Sequence, residues 1–248
     1  MIDAYNANSG GPSLTLNDMS SFGGNGADRP ATGISWNEAA RFVNWLNTSS
    51  GHSAAYQFDT TGANDNIDLW ELGDTGYDAS NPFRNSNAYY FLPSEDEWYK
   101  AAYYDPDANS GAGGYWNYAT GSDTAPTAVA SGTTSGTAVY DQLTATVPAD
   151  ITNAGGLSPY GTMAQNGNVW EWGESQFTAP NNSAFAYRIR RGGIWISNSD
   201  PLHSSDRSSD LPTSSYASTG FRVASVPESS SFLLIALGLM TFLLRRKR

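Results

Sequence analysis

Two segments of the chain combine a helix-start signal with a helical pattern of residues. Ser35 and Glu38 fit an N-terminal capping box, and Ser94 and Glu97 repeat the same spacing. After the first box, four apolar residues fall at the i, i+3, i+4 and i+7 positions of one helical face: Ala39, Phe42, Val43 and Leu46. After the second box, the acidic residues of the first turn complement the helix dipole. The pattern therefore predicts two amphipathic helices, one after each box.

Strand-like patterns are short and lie between turn-forming residues. They occupy residues 89–92, 187–190, 193–196 and 221–224. Residues 48–88 and 105–158 are rich in Gly, Ser, Thr, Asn, Asp and Ala, and we expect them to form long surface loops. The sequence thus predicts two helices, a few short strands and long loops.

The end of the chain has a different pattern. Residues 232–244 read FLLIALGLMTFLL, and four basic residues follow at 245–248. As a helix this run is about 20 Å long, shorter than a hydrocarbon core of about 30 Å. The serines at 229–231 would extend it to a marginal membrane span, with the basic end on the cytoplasmic side. The alternative is a buried C-terminal helix.

The residues before this run resemble a known export signal. Val226, Pro227 and Glu228, followed by the apolar run and the basic cluster, resemble the PEP-CTERM sorting tail of exported Gram-negative proteins. The resemblance implies an exosortase-type processing enzyme as partner and at least transient anchoring in the inner membrane. It also implies export to the cell envelope or extracellular matrix. We therefore divide the chain into a domain at 1–225 and a sorting or transmembrane tail at 226–248.

The start of the chain does not match this expectation of export. Residues 1–4 read MIDA, and neither a basic region nor an apolar region of a signal peptide follows them. We therefore expect the natural protein to begin further upstream.

Composition narrows the possible chemistry. The chain has no Cys, which excludes disulfides, thiolate metal sites and a cysteine nucleophile. It has two His, His52 and His203, which leaves little room for a multi-histidine metal centre. Its net charge is −11, and the basic tail partly offsets a still more acidic body. Such a body repels nucleic acid and anionic lipid, and it suits divalent cations and neutral ligands.

Five motifs occur in a fixed order along the body. They are ISWNEAARF at 34–42, LPSEDEWYKAA at 92–102, GNVWEW at 167–172, RGGIW at 191–195 and GFRV at 220–223. In this order they resemble the formylglycine-generating enzyme (sulfatase-modifying factor) domain over roughly residues 29–224. The resemblance implies that family's loop-rich fold, a variant of the C-type-lectin-like α+β architecture.

The tryptophans and arginines of these motifs have an ordinary structural interpretation. Each Trp offers a large apolar area and one N–H group, so we expect the motif tryptophans to pack in the core. Arginines in a loop-rich acidic body are expected to bind carboxylates and carbonyls and so to fix loops. This applies to Arg41, Arg191, Arg207 and Arg222.

The activity that the resemblance implies is copper-dependent oxidation of a substrate cysteine to formylglycine. The family's two copper-binding cysteine positions hold Ser197 and Leu202 here, and its serine position holds Ile194. Cu(I) requires soft thiolate ligands, so we expect no copper and no formylglycine generation. The chain is then an exported binding or structural module. The alternative is a metal-dependent oxidoreductase with an altered site around His203 and either Asp200 or Asp206.

The resemblance also suggests where a ligand and a cation would bind. We expect a glycan or an envelope protein in a cleft, called here the predicted cleft, that is lined by Trp195, Ser197, Asn198, Asp200, His203 and Arg207. Calcium would take the carbonyls of Asn166, Gly167 and Val169 and the Glu171 carboxylate, because hard oxygen ligands suit Ca²⁺. The alternative is that Glu171 pairs with an arginine such as Arg191.

Overall fold

The computed structural model describes residues 1–16, 26–58, 67–143 and 146–226. Pro227, Glu228 and the apolar run at 232–244 lie outside the described residues, so the sorting tail and its helix stay predictions. Within the described ranges, none of the helices has both the length and the apolar character needed to cross a membrane.

The two predicted helices are confirmed. Helix α2 covers Trp36–Ser49 and helix α3 covers Glu95–Tyr103, and both capping boxes form as the spacing predicts. Two further helices were not predicted: α1 at Ile2–Asn8 and the short α4 at Ala108–Gly111.

The strands form one four-stranded sheet and three two-stranded pairs. The strands of the larger sheet, in the spatial order β8-β7-β6-β9, are β6 (Trp170–Gln176), β7 (Arg188–Arg191), β8 (Ser208–Asp210) and β9 (Thr219–Phe221). The pairs are β1 (Tyr90–Phe91) with β10 (Ala224–Ser225), β2 (Tyr104–Asp105) with β3 (Gly114–Tyr115), and β4 (Thr127–Ala128) with β5 (Thr137–Ala138). Among these strand pairs of the described residues, β4–β5 and β6–β9 are parallel and the others are antiparallel.

The strand predictions need several corrections, and the short strands β2, β3, β4, β5 and β8 were not predicted. Residues 193–196 form a turn and not a strand, because Gly192 and Gly193 both have positive φ and redirect the chain. The run at 221–224 is divided between the end of β9 and the start of β10. Strand β6, the centre of the sheet, was missed because WEWGESQ lacks the alternation of a half-buried strand.

The main core lies where α2 packs on the sheet. Trp36 and Trp172 are both fully buried there, and each indole N–H donates to a backbone carbonyl of the segment that carries the other. Trp36 donates to the Gly173 carbonyl, and Trp172 donates to the Ile34 carbonyl, both at 3.0 Å. Gly173 also leaves room for the neighbouring strand β7, since a Cβ there would lie 2.6 Å from Ile189 Cγ2. The core interpretation of these tryptophans is confirmed.

Candidate functional site

A glutamate and two arginines join α3 to the sheet. Glu95, in the first turn of α3, accepts hydrogen bonds from Arg191 Nε at 2.9 Å and from Arg207 Nε at 2.7 Å. Burial by itself raises the pKa of Glu95, but the hydrogen bonds from Arg207 and Arg191 outweigh burial and hold the pKa below its ordinary value. Arg191 also donates to the carbonyls of Ser204 and Asp206. We call Glu95, Arg191 and Arg207 the glutamate clamp, and it fixes the 204–207 loop beside α3.

Glu171, the carboxylate of the predicted calcium site, has three hydrogen-bond donors. Trp98 Nε1 donates to Oε2 at 2.6 Å, and Arg222 donates to both carboxylate oxygens at 2.5 Å. These contacts favour an arginine pair at Glu171 over a calcium ion. The partner is Arg222, and not Arg191 as the sequence suggested. A carboxylate already neutralised in this way is a poor fit to a calcium ion. Calcium binding therefore stays a prediction.

A third glutamate, which the sequence did not single out, is fully buried. Glu174 of β6 accepts from Tyr56 Oη at 2.8 Å and from Asn81 Nδ2 at 2.5 Å, and it lies 3.3 Å from Arg84 Nε. Burial raises the pKa of Glu174 above its ordinary value, although Arg84 opposes that change. These groups satisfy one another inside the core, which indicates a structural role.

Arg188 is also fully buried in this region. Among the described residues, no carboxylate lies in direct contact with its guanidinium. Its guanidinium lies between the rings of Trp36 and Phe83, 4.4 and 4.0 Å from the ring centroids. It donates to the carbonyl of Glu174 at 3.1 Å. Burial lowers the pKa of Arg188 to about 10.

Two residues of the predicted cleft serve the framework instead. Trp195 is only 3% exposed, packs in a core cluster with Val139 and Val169, and donates its indole N–H to the Thr146 carbonyl. Its ring therefore offers no face to a ligand, which corrects the expectation that it lines the cleft. Arg207 belongs to the glutamate clamp and also lies over the ring of Phe177 at 4.7 Å.

The two positions that hold copper-binding cysteines in the family differ in burial here. Leu202 is fully buried against Ala138 and Tyr140, whereas Ser197 is half-buried and its carbonyl accepts from the Asp141 N–H at 2.7 Å. Ile194, at the family's serine position, is a half-buried residue beside the Trp195 cluster.

The remaining residues of the predicted cleft form an exposed polar loop. Asn198 Nδ2 donates to Asp200 Oδ2 at 2.9 Å, and His203 Nδ1 lies 2.8 Å from Ser205 Oγ. The His203 ring meets the Tyr118 ring edge-on at 5.4 Å. Burial raises the pKa of Asp206, and Arg191 opposes that change. In the described ranges, no group of three or more His, Asp or Glu residues is arranged to hold a metal ion.

A cavity of about 620 Å³ opens on a different part of the surface. Its lining includes the carboxylates of Asp68, Glu71 and Asp74 and the exposed ring of Phe185. None of its lining residues belongs to the predicted cleft. We base no function on this cavity, because it is open and polar and no contact in it points to a ligand.

Comparison with known proteins identifies the fold. Residues 12–226 match the sulfatase-modifying factor enzyme 1-like domain (FGE-sulfatase). No curated protein matches the sequence. The fold is similar to that of Treponema denticola variable protein 1, with a TM-score of 0.58 and 21% identity over 85% of this chain and 78% of that chain. It is also similar to the crystal structure of CarF, with a TM-score of 0.56 and 19% identity over 91% of this chain and 81% of that chain. At such identities the two structures support the fold alone.

Proposed function

The chain belongs to the family of sulfatase-modifying factor enzyme 1-like domains, and from this membership we propose that it is a non-catalytic binding module. The observation that carries the proposal is the state of the family's copper positions. They hold Ser197 and the fully buried Leu202, and the chain contains no Cys that could replace them. Neither side chain supplies the thiolate that Cu(I) requires.

The ion pairs around the former copper positions support a binding role for this region, in preference to the loss of all function. The glutamate clamp and the Glu171–Arg222 pair hold α3, the sheet and the 204–207 loop together. A bidentate arginine–carboxylate pair fixes geometry as well as charge. The exposed loop that carries Asn198, Asp200 and His203 is thus displayed on a rigid base, which is an arrangement suited to ligand recognition.

The first test is an assay for oxidase activity. The full chain, treated with copper, is incubated in air with a cysteine-containing sulfatase peptide, and the peptide is analysed by mass spectrometry. We expect no aldehyde product. Steady conversion of the cysteine would refute the proposal. Stoichiometric iron or copper in the purified protein would instead support an oxidoreductase with a site around His203.

The second test concerns the ligand class, for which we propose a glycan or a protein of the cell envelope. Retention of the full chain is measured on isolated envelope polysaccharide, with and without EDTA. Retention that EDTA abolishes would support calcium-dependent binding, and retention in both conditions would support binding without calcium. Absence of retention would leave protein ligands as the class to test by pull-down from envelope fractions.

We also propose export to the envelope, on the basis of the sorting tail at 226–248. Its test is fractionation of native cells that produce the natural protein from its own gene, either unchanged or with Pro227→Ala and Glu228→Ala. We expect the unchanged chain in the envelope or medium and the double variant held at the inner membrane. Identical distributions would contradict the role of the signal.

A further inference from the structure

Four tyrosine rings lie together on one surface, and one of them, Tyr99, belongs to the LPSEDEWYKAA motif while the other three lie outside the five motifs. Tyr99 comes from α3, Tyr104 and Tyr115 from the β2–β3 pair, and Tyr160 from the loop before β6. The Tyr115 ring lies 5.4 Å from the Tyr99 ring and 5.0 Å from the Tyr104 ring. The Tyr160 ring stacks on Tyr104, with centroids 6.2 Å apart and 26° between the planes. We call these four residues the tyrosine face.

The tyrosine face is open to solvent. Tyr115 is 54% exposed and Tyr160 is 47% exposed, and Tyr99 and Tyr104 are half-buried beneath them. Single exposed aromatic residues are common, but a connected group of four is not. Tyrosine is also enriched at binding surfaces, because it offers a large contact area at a low cost in side-chain entropy.

The backbone holds these rings in place before any ligand arrives. Tyr104 and Tyr115 are directly opposite each other in the antiparallel β2–β3 register. Gly113 has positive φ, and a Cβ there would lie 2.2 Å from Tyr104 Oη, so glycine is needed for the ring to lie against the backbone. The Tyr160 loop is fixed to α3, because Ser158 Oγ donates to the Ala101 carbonyl at 2.9 Å. A preordered surface loses less conformational entropy when it binds a ligand.

One carboxylate, that of Asp105, follows Tyr104 in β2 and is directed to the other face of the β2–β3 pair. Asp105, next to Tyr104, accepts from Trp116 Nε1 at 3.1 Å and from the Asp107 N–H at 2.9 Å. These hydrogen bonds lower the pKa of Asp105, so it is charged at neutral pH. Two positive charges also lie near the rings: Lys100 Nζ is 5.6 Å from the centroid of the Tyr104 ring, and Arg191 Cζ is 5.3 Å from that of the Tyr99 ring.

We propose that the tyrosine face binds the sugar rings of a neutral polysaccharide. This rests on the proposed function as a binding module, and it names the surface and the ligand class. The C–H face of a sugar ring is weakly positive and packs on the negative face of an aromatic ring. The tyrosine hydroxyls then donate hydrogen bonds to sugar hydroxyls and accept hydrogen bonds from them. The net charge of −11 opposes acidic polysaccharides and single-stranded nucleic acid, which would otherwise also stack on aromatic rings.

The test is affinity electrophoresis of the full chain in native gels. The gels contain galactomannan or mixed-linkage β-glucan as neutral polymers, or alginate as an acidic polymer. A polyoxyethylene detergent keeps the apolar end of the chain in solution without adding sugar groups. Tyr115→Ala and Tyr160→Ala are compared with Tyr187→Ala, whose ring is 52% exposed but lies outside the tyrosine face. Equal mobility in polymer-free gels and an unchanged near-ultraviolet circular dichroism spectrum establish that each variant folds.

We expect retardation by at least one neutral polymer and none by alginate. Each tyrosine-face variant should bind about tenfold more weakly or worse, and Tyr187→Ala should bind like the original chain. Retardation that both tyrosine-face variants retain, but that Asn198→Ala with His203→Ala abolishes, would overturn this inference and leave the proposed binding function standing. Absence of retardation in both neutral gels would overturn the ligand class. Retardation by alginate alone would do so as well.

Discussion

At the scale of single residues, the domain is organised around buried carboxylates that arginines neutralise. The sequence predicted that Arg191, Arg207 and Arg222 would fix loops, and each one binds a glutamate. The partners could not be predicted, because Glu95 and Arg207 are 112 positions apart and only the fold brings them together. Glu174 was missed for the same reason, since its three polar partners come from two distant loops.

The glutamate clamp should be a major source of stability. We expect Glu95→Gln to lower the free energy of unfolding by about 3 kcal/mol, because the buried Arg191 and the more exposed Arg207 would lose their shared counter-charge. Asp96→Asn is the matched control in the same helical turn; it changes an exposed carboxylate and should cost less than about 1 kcal/mol. Urea denaturation of the three proteins measures both effects. Equal losses of unfolding free energy in the two variants would show that the glutamate clamp does not stabilise the fold more than an exposed carboxylate does.

The same carboxylate should shape the response to acid. The pKa of Glu95 in the folded chain lies below its ordinary value of 4.5. Its stabilising contribution is therefore present above that value and is lost as the pH falls through the lower folded-state pKa. We expect the free energy of unfolding of Glu95→Gln to depend less steeply on pH below about 4.5 than that of the original chain. Parallel curves from urea titrations at several acidic pH values would contradict this.

Glycine in the GNVWEW motif has a steric role that can be tested directly. Gly167 has a φ of 77°, and a Cβ there would lie 2.1 Å from the Val139 carbonyl oxygen. Gly51 has a φ of 80° but open space around it, which makes it a matched control. We expect Gly51→Ala to cost about 1–2 kcal/mol for the left-handed backbone alone. Gly167→Ala should cost clearly more, or prevent folding. Equal melting temperatures would show that the loop moves to admit the methyl group.

At the scale of elements, prediction succeeded where one local signal decides the structure. A capping box followed by helical spacing is local, and both α2 and α3 begin where it indicates. The strands depend on partners elsewhere in the chain. Strand β6 exists because β7 and β9 flank it, and the RGGIW segment turns because its two glycines adopt positive φ. Helix α1 was missed because IDAYNAN has neither a capping box nor a clear apolar face.

Helix α1 should nevertheless contribute to the core. Tyr5 is buried, meets the Trp45 ring edge-on at 5.8 Å and donates its hydroxyl to the Pro12 carbonyl. We expect Tyr5→Ala to lower the free energy of unfolding by about 3 kcal/mol, as for other buried aromatic residues. Asn8→Ala on the exposed side of α1 should change it by less than about 1 kcal/mol. Thermal denaturation would distinguish a packed helix from one that adds nothing, for which both variants would melt like the original chain.

At the scale of the whole molecule, the family match and the long loops agree with the sequence prediction. The described parts of residues 48–88 and 105–158 contain only short helical and strand segments. Their path could not be predicted, because it is set by scattered backbone and side-chain hydrogen bonds and not by any periodic pattern. The tyrosine face could not be predicted either, because its four residues lie on separate segments that only the fold brings together.

The charge of the molecule should also influence its stability. Most ion pairs of the described residues are at least partly buried, whereas the net charge of −11 is spread over the surface. Salt screens surface repulsion more strongly than buried pairs. We therefore expect the urea midpoint to rise when NaCl is increased from about 0.02 to about 0.5 M. A lower midpoint at high salt would show that attractive surface pairs outweigh the repulsion.

The pairing of β10 with β1 has a mechanical consequence. The ladder is two residues long, and Val226 adds one more hydrogen bond from its N–H to the Tyr89 carbonyl. Any tension applied through the chain beyond residue 226 would act on this ladder before it reaches the four-stranded sheet. Peeling residues 224–226 away would release about 10 Å of extended chain, at about 3.3 Å per residue. Under an intermittent pull, these few bonds could open and close again while the glutamate clamp and the tyrosine face keep their geometry.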